Sequence, residues 1–277
     1  MQKIDKILIG IAFSPNLKPN LFEAVRMANM FNAELVGVHV GTETDQKKES
    51  INALLQEADT LKKPFTIKWQ QGKPVDVIIE TCDKERIDLL ILGAIQQENL
   101  YRYYVGSIAR KITRKAQCSV LLLIKPSVTR MACKHIVVNG LEDKKTEETI
   151  KTAFVVANYL NCKKVTIVEE IKQEELHITV NDDISLRRAN IAKERIKTRE
   201  DRRIKNILKE IDCTNLNVKT QPIFGKRGYS IGHYAKVKRA DLLVMNAPNK
   251  SGLLDRIFPH DIEYILSELP TDVLIVK

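Results

Sequence analysis

A chain of 277 residues, 44% apolar and 29% charged, has room for one large domain or two ordinary ones and for a sizeable core. No apolar run approaches the roughly 20 residues that cross a bilayer, and the start, MQKIDKILIGIAFSPN, lacks the long apolar part and cleavage site of a secretory signal, so a cytoplasmic location is expected. Five scattered cysteines without a CxxC pair point to reduced thiols rather than a disulfide framework or zinc site, and much of the net charge of +10 sits in residues 187–210, where ten Lys/Arg face four Asp/Glu.

From the N-terminus, residues 6–13 (KILIGIAF) read as a buried strand. Leu21, Ala24, Val25 and Ala28 then have helical spacing over 20–31. A strand over 33–40, a helix over 49–61, a strand over 65–70 and a helix over 75–85 follow. Residues 88–94 (DLLILGA) form a fourth strand, and a helix from Ser107 and the strand SVLLLI close the unit. The second half runs strand 134–140, helix 146–160, strand 163–171, a charged insertion over 172–212, strand 218–225, helix 230–238, strand 241–247 and strand 272–277. Continuous Val/Ile/Leu strands separated by helices indicate a parallel sheet covered on both faces.

The two halves are similar to one another. Residues 72–124 lie over 225–277 without a gap: Gly72-Lys73 falls on Gly225-Lys226, Asp88-Leu89-Leu90 on Asp241-Leu242-Leu243, and Ala94 on Ala247. The chain reads as a tandem duplication with units 1–127 and 132–277, separated near Pro126. The closing strands SVLLLI and DVLIVK are apolar edges, and exposed edges invite pairing. They are expected to pair with each other inside the chain as a pseudo-dimer, with a homodimer as a further form of self-association.

The stretch LLILGAIQQENLYRYYVGSIARK carries the chemistry. Gly93, at the carboxyl end of the fourth strand, lets backbone approach a ligand with no Cβ in the way. Gly106 and Ser107 open a helix whose N–H groups and positive dipole end favour phosphate. The plainer alternative is a helix cap at Gly106-Ser107 and a packing glycine at Gly93. A Gly72-Lys73 turn recurs in both halves, and His39 and His135, in or beside strands, read as core or surface histidines. Tyr101, Tyr103 and Tyr104 read as cover for a helix or interface.

Two units that each close with strand, loop, helix and strand, the first through a glycine loop and Gly-Ser, resemble tandem universal stress protein domains. The family's nucleotide binders carry glycine, two residues, glycine, nine residues, then glycine with Ser or Thr. Gly93, Gln96, Gly106 and Ser107 keep that spacing and three of the four identities. The resemblance implies two doubly wound α/β sheets of five parallel strands, order 3-2-1-4-5, with helices on both faces. It also implies ATP or AMP in the first unit only, phosphates at Gly93, Gly106, Ser107 and the adjoining Ile108, and adenine near Val40 and Ala12. Gln96 replaces a glycine, which would bring strain if the position needs a positive φ. Ala12 stands where these binders tend to carry an acid. In the second unit the four positions are Asn246, Asn249, Pro259 and His260, so no nucleotide is expected there.

The expected function is that of a stress-response binding protein sensing an adenine nucleotide weakly through its first unit. The alternative is a non-nucleotide adaptor acting through its paired units and a basic helix over 185–211. That helix is expected to be scaffold, and nucleic acid is disfavoured, because acids interleave the bases and aromatics are absent. No GxSxG, HExxH or P-loop is present, so no catalytic or metal-binding residue is assigned, and slow ATP hydrolysis enters only through the resemblance.

Overall fold

The computed structural model describes residues 3–96, 103–124, 126–129, 131–172, 181–247 and 261–277, with Ile95, Gln96, Tyr103, Tyr104 and Asp261 by backbone alone. The first half runs β1 (Lys6–Gly10), α1 (Leu17–Phe31), β2 (Glu34–Val40), α2 (Asp45–Glu57), β3 (Phe65–Gln70), α3 (Pro74–Glu85) and β4 (Leu89–Gly93). Two short strands follow, β5 (Ile95–Gln96) and β6 (Tyr103–Tyr104), then α4 (Ser107–Lys115) and β7 (Ser119–Leu123). The second half runs β8 (His135–Asn139), α5 (Thr146–Tyr159), β9 (Lys164–Ile171), α6 (Asp183–Lys209) and β10 (Asn217–Phe224), then α7 (Tyr229–Val237), β11 (Leu242–Asn246), α8 (Asp261–Ser267) and β12 (Asp272–Val276).

The strands line up as β10-β9-β8-β11-β12-β7-β4-β1-β2-β3. Each half is parallel with the 3-2-1-4-5 order, but the two form one ten-stranded sheet rather than two separate sheets. The cause is the antiparallel pairing of β7 with β12, which gives both apolar edges hydrogen-bond partners. α1, α2, α5 and α6 pack on one face, and α3, α4, α7 and α8 on the other. Among the described residues, no helix is long and apolar enough to cross a membrane.

Local signals account for the starts of α2, α3 and α6. Gly72 turns the chain after β3 with φ 141°, and Pro74 starts α3, where its missing N–H has no cost. α2 begins at Asp45, earlier than the apolar spacing suggests, because Thr44 accepts a bond from Lys47 N at 3.3 Å. α6 opens with a reciprocal capping box between Asp182 and Ser185. It takes the place of α2 in the second half, as the scaffold reading expects. Over 27 residues it buries Ala189, Glu200 and Ile204. The five cysteines are free thiols.

Candidate functional site

In a parallel sheet of this order, ligands sit outside the carboxyl ends of the strands where the winding direction reverses. In the first half that point lies between β1 and β4. Gly93 ends β4, Ala12 and Phe13 follow β1, and Val40 ends β2. The loop after β4 folds back as a ribbon in which Ile95 pairs with Tyr104 and Gln96 with Tyr103. Gly93 and Gly106 each stand two residues outside the Ile95–Tyr104 pair, so the ribbon brings them together at its foot. Gln96 therefore occupies a strand, and the strain foreseen for a left-handed residue does not arise. Positive-φ residues other than glycine, among those described, are Asn32, Arg86, Asn161 and Arg239. Residues 97–102, with Tyr101, lie outside the described chain.

Among the described residues the start of α4 has no side-chain cap, and its first-turn N–H groups have no acceptor within the helix. Ser107 and Ile108 are exposed. The helix is held by α8: Val105 N–H donates to Leu266 O at 3.0 Å, Arg110 donates to the same carbonyl at 3.2 Å, and Arg110 and Arg114 reach Glu263 at 3.4 and 2.5 Å. The second half thus fixes the start of α4 at the cleft.

Across from α4, the amide of Asn20 fills the space a Cβ on Gly93 would take, with Nδ2 2.7 Å from that position. Its Oδ1 is buried and has no hydrogen-bond partner among the described residues. At the far end of the cleft, His39 Nδ1 lies 3.0 Å from Ile11 O and Nε2 lies 3.1 Å from Lys47 Nζ. The carbonyl requires a proton on Nδ1, which leaves Nε2 to accept from the ammonium. Phe13 and Trp69 meet the imidazole edge-on at 5.0 and 5.2 Å, and Phe13 remains 41% exposed. Ala12 is exposed beside this group and carries no carboxylate.

The structure thus brings Ala12, Val40, Gly93, Gly106, Ser107 and Ile108 to one edge of the first half and gives Gln96 a place in the ribbon above it. Asn20, Phe13 and Lys47 are additions. Asn20 had a readable signal: it is the polar member of the stripe Leu17, Asn20, Leu21, Ala24, Val25 and Ala28, whose other members are all buried.

The matching edge of the second half is filled by the protein itself. Arg203 donates to Gly140 O just beyond β8 and pairs with the buried Glu200 at 2.9 Å, which Arg199 also meets at 2.8 Å. Glu170 accepts from Gly228 N and Ile231 N at 2.9 and 2.8 Å and caps α7. Asn246 donates to Thr146 Oγ1 at 3.3 Å. Glu169, 2% exposed, has neither carboxylate oxygen hydrogen-bonded to a described residue, and burial pushes its pKa up to about 7. Asn249, Pro259 and His260 lie outside the described residues.

Residues 41–123 match the model of the universal stress protein family. That span holds Gly93, Gln96, Gly106, Ser107 and Ile108 and begins one residue after Val40. The chain is 29% identical over 122 residues to a universal stress protein of Methanocaldococcus jannaschii, covering 37% of this chain and 72% of that one. Its fold is similar to that of a universal stress protein of Archaeoglobus fulgidus, with a TM-score of 0.75 at 13% identity over 100% of this chain and 99% of the other. A functionally unknown protein of Pseudomonas aeruginosa gives a TM-score of 0.63 at 17% identity, over 99% and 92%. At such identities these two likenesses concern the fold alone.

Proposed function

The chain is of the universal stress protein family, and on that premise we propose that it is a stress-response protein that senses an adenine nucleotide through its first half. The observation that carries this reading is the uncapped start of α4 at Gly106-Ser107, brought beside Gly93 by the β5–β6 ribbon. N–H groups at a helix terminus favour phosphate through both their hydrogen bonds and the dipole. The residues present fit the phosphate end: Gly106, Ser107 and Ile108 supply donors, and Gly93 adds no side chain beside them. Asn20 adds an amide that can turn either its carbonyl or its NH2 toward a ligand.

The base end fits less completely. Val40 and Phe13 offer apolar and aromatic surface, but Ala12 cannot accept a bond from a ribose hydroxyl. Losing one charge-assisted hydrogen bond costs about 1.5–3 kcal/mol, or roughly ten- to a hundred-fold in affinity. The reading is therefore of weak sensing, in a range where the occupancy follows nucleotide concentration.

Thermal unfolding in millimolar ATP, ADP or AMP tests this, because a ligand that binds only the folded chain raises the midpoint. Gly106→Pro should abolish the rise. Its φ of −57° already suits proline, so the substitution removes an N–H with little change of backbone. A wild type that shows no rise with any of the three overturns the nucleotide reading.

An adaptor role has its own support in α6. Ile184, Arg187, Arg188, Ile191, Arg195, Thr198 and Arg202 lie exposed on one side of this helix. Arg187, Arg188, Arg195 and Arg202 form no ion pair among the described residues. Such a face suits an acidic partner surface.

A further inference from the structure

The two faces of the sheet are covered unequally. On one face α4 and α8 meet over the central strands, through the Arg110–Glu263 and Arg114–Glu263 pairs. On the other, α1 and α5 meet at their C-terminal ends, where the Phe31 and Tyr159 rings lie 4.7 Å apart, and a cavity of about 510 Å³ lies between these helices and the sheet. Leu89, Leu121, Leu242 and Leu274 form its floor, from β4, β7, β11 and β12. Met27 and Phe31 of α1 face Val156 of α5 and Leu160 just past its end, and Met131, Ala132 and Cys133 border it from the connecting segment. It has the symmetry of the two halves: Leu89 and Leu242, Leu121 and Leu274, and Asp88 and Asp241 are each equivalent in the repeat. Neither half alone encloses it.

We propose that this cavity is a binding site for an uncharged, chain-like apolar molecule lying along the groove from the Asp88 end to the Asp241 end. Its volume falls within the roughly 300–1,000 Å³ of ordinary ligand sites. Water gains little from a space lined by leucine, methionine and phenylalanine, whereas hydrocarbon fills it with dispersion contacts.

The charged groups at its margins select against an anionic head. The described lining holds Glu23, Asp88, Asp241, Glu268 and Asp272 against Lys236. These acids already serve the protein. Asp88 accepts from Asp5 N and Lys6 N, Asp241 from Lys134 N and His135 N, and Asp272 from Ile124 N. Glu23 pairs with Arg26, and Lys236 with Glu268. A carboxylate or phosphate brought here meets like charge, while a hydroxyl does not.

Decanol and decanoate, the same chain with an uncharged and an anionic head, separate the alternatives on the full-length protein. Decanol should raise the unfolding midpoint and appear as a bound mass in native mass spectrometry, with affinity at least about tenfold above that of decanoate. Met27→Trp and Thr152→Trp, from opposite walls and each only partly buried, should fill the space. Either variant alone should keep the ligand-free midpoint at or above wild type and remove the decanol shift. Gly106→Pro should leave that shift intact, so this site and the nucleotide site fail independently. The proposal is overturned if decanol produces no shift in the wild type, if decanoate binds as tightly, or if the tryptophan variants fold and still respond to decanol.

Discussion

Leu121 and Leu274 face each other across the antiparallel join of β7 and β12. They are also the same position of the internal repeat, 153 residues apart, so the pseudo-twofold relation between the halves passes through this pair. An antiparallel pairing of equivalent residues is the geometry of an isologous dimer interface drawn into one chain.

A fragment of residues 1–127 should therefore dimerise, pairing β7 with β7 of a second copy and Leu121 with Leu121. Light scattering after size exclusion measures this. Leu121→Lys should make the fragment monomeric by placing like charges in the apolar seam. A wild-type fragment that stays monomeric at high concentration counts against self-complementarity.

At the cleft, Gly93→Ala drives a methyl into the Asn20 amide. A flexible amide can give way, so the stability cost should be about 1 kcal/mol, at the low end for overpacking. Any ATP-dependent rise in the unfolding midpoint should nevertheless be lost, because the displaced amide and the new Cβ both enter the approach to Gly106. Asn20→Ala should keep the fold and weaken the same response. A Gly93→Ala protein with an undiminished nucleotide response would remove Gly93 from the site.

Glu169 predicts an inverted pH dependence. Burial raises its folded-state pKa from about 4.5 to about 7, so between those values the folded chain holds a proton that the unfolded chain has released. Its contribution to stability is fully present below about pH 4.5 and falls as pH rises to about 7, by roughly 1–3 kcal/mol. Glu169→Gln should flatten this part of the profile and stabilise the protein at neutral pH. Denaturant melts at pH 5 and pH 7.5 decide it: a wild type that grows more stable over this interval relative to the variant contradicts the assignment.

α6 separates into two chemistries that charge reversal can resolve. Arg188, Arg195 and Arg202 replaced by Glu should cost less than about 1 kcal/mol, since all three are exposed. The change should abolish salt-sensitive retention on heparin if the helix presents an anion-binding face. Arg203→Glu should instead destabilise by about 3–5 kcal/mol, because it leaves the buried Glu200 facing a second carboxylate. Equal melting temperatures for the two variants would show that Arg203 is no part of the core.

Much of this architecture is legible along the chain because it depends on local pattern. Continuous apolar strands such as LLILG and VLLL mark strands buried on both faces, and helical spacing in α1 and α5 marks the helices that cover them. The repeat at Asp88-Leu89-Leu90 and Asp241-Leu242-Leu243 implies that whatever order one half adopts, the other shares. Gly93 and Gly106-Ser107 stand out because glycine and a helix start have backbone meanings of their own. α8 is the exception among the described helices: seven residues offer too few turns for periodicity to declare.

What the chain meets at a distance is a different matter. Hydrophobic spacing tells which side of a helix is buried, but not that Asn20 on that side of α1 covers Gly93, or that Arg203 reaches Gly140 O. Nor does it distinguish Arg203 from its neighbour Arg202 as the arginine that turns inward. Gln96 is a strained substitute for glycine only if its position needs a positive φ, and its pairing with Tyr103 puts it in a strand instead. The cavity bordered by α1 and α5 has no signature in either half, since it exists only where β7 meets β12 and brings the two helices over one join. These features arise from contacts between residues tens to hundreds of positions apart, and their energies depend on distance and burial that only the folded chain defines.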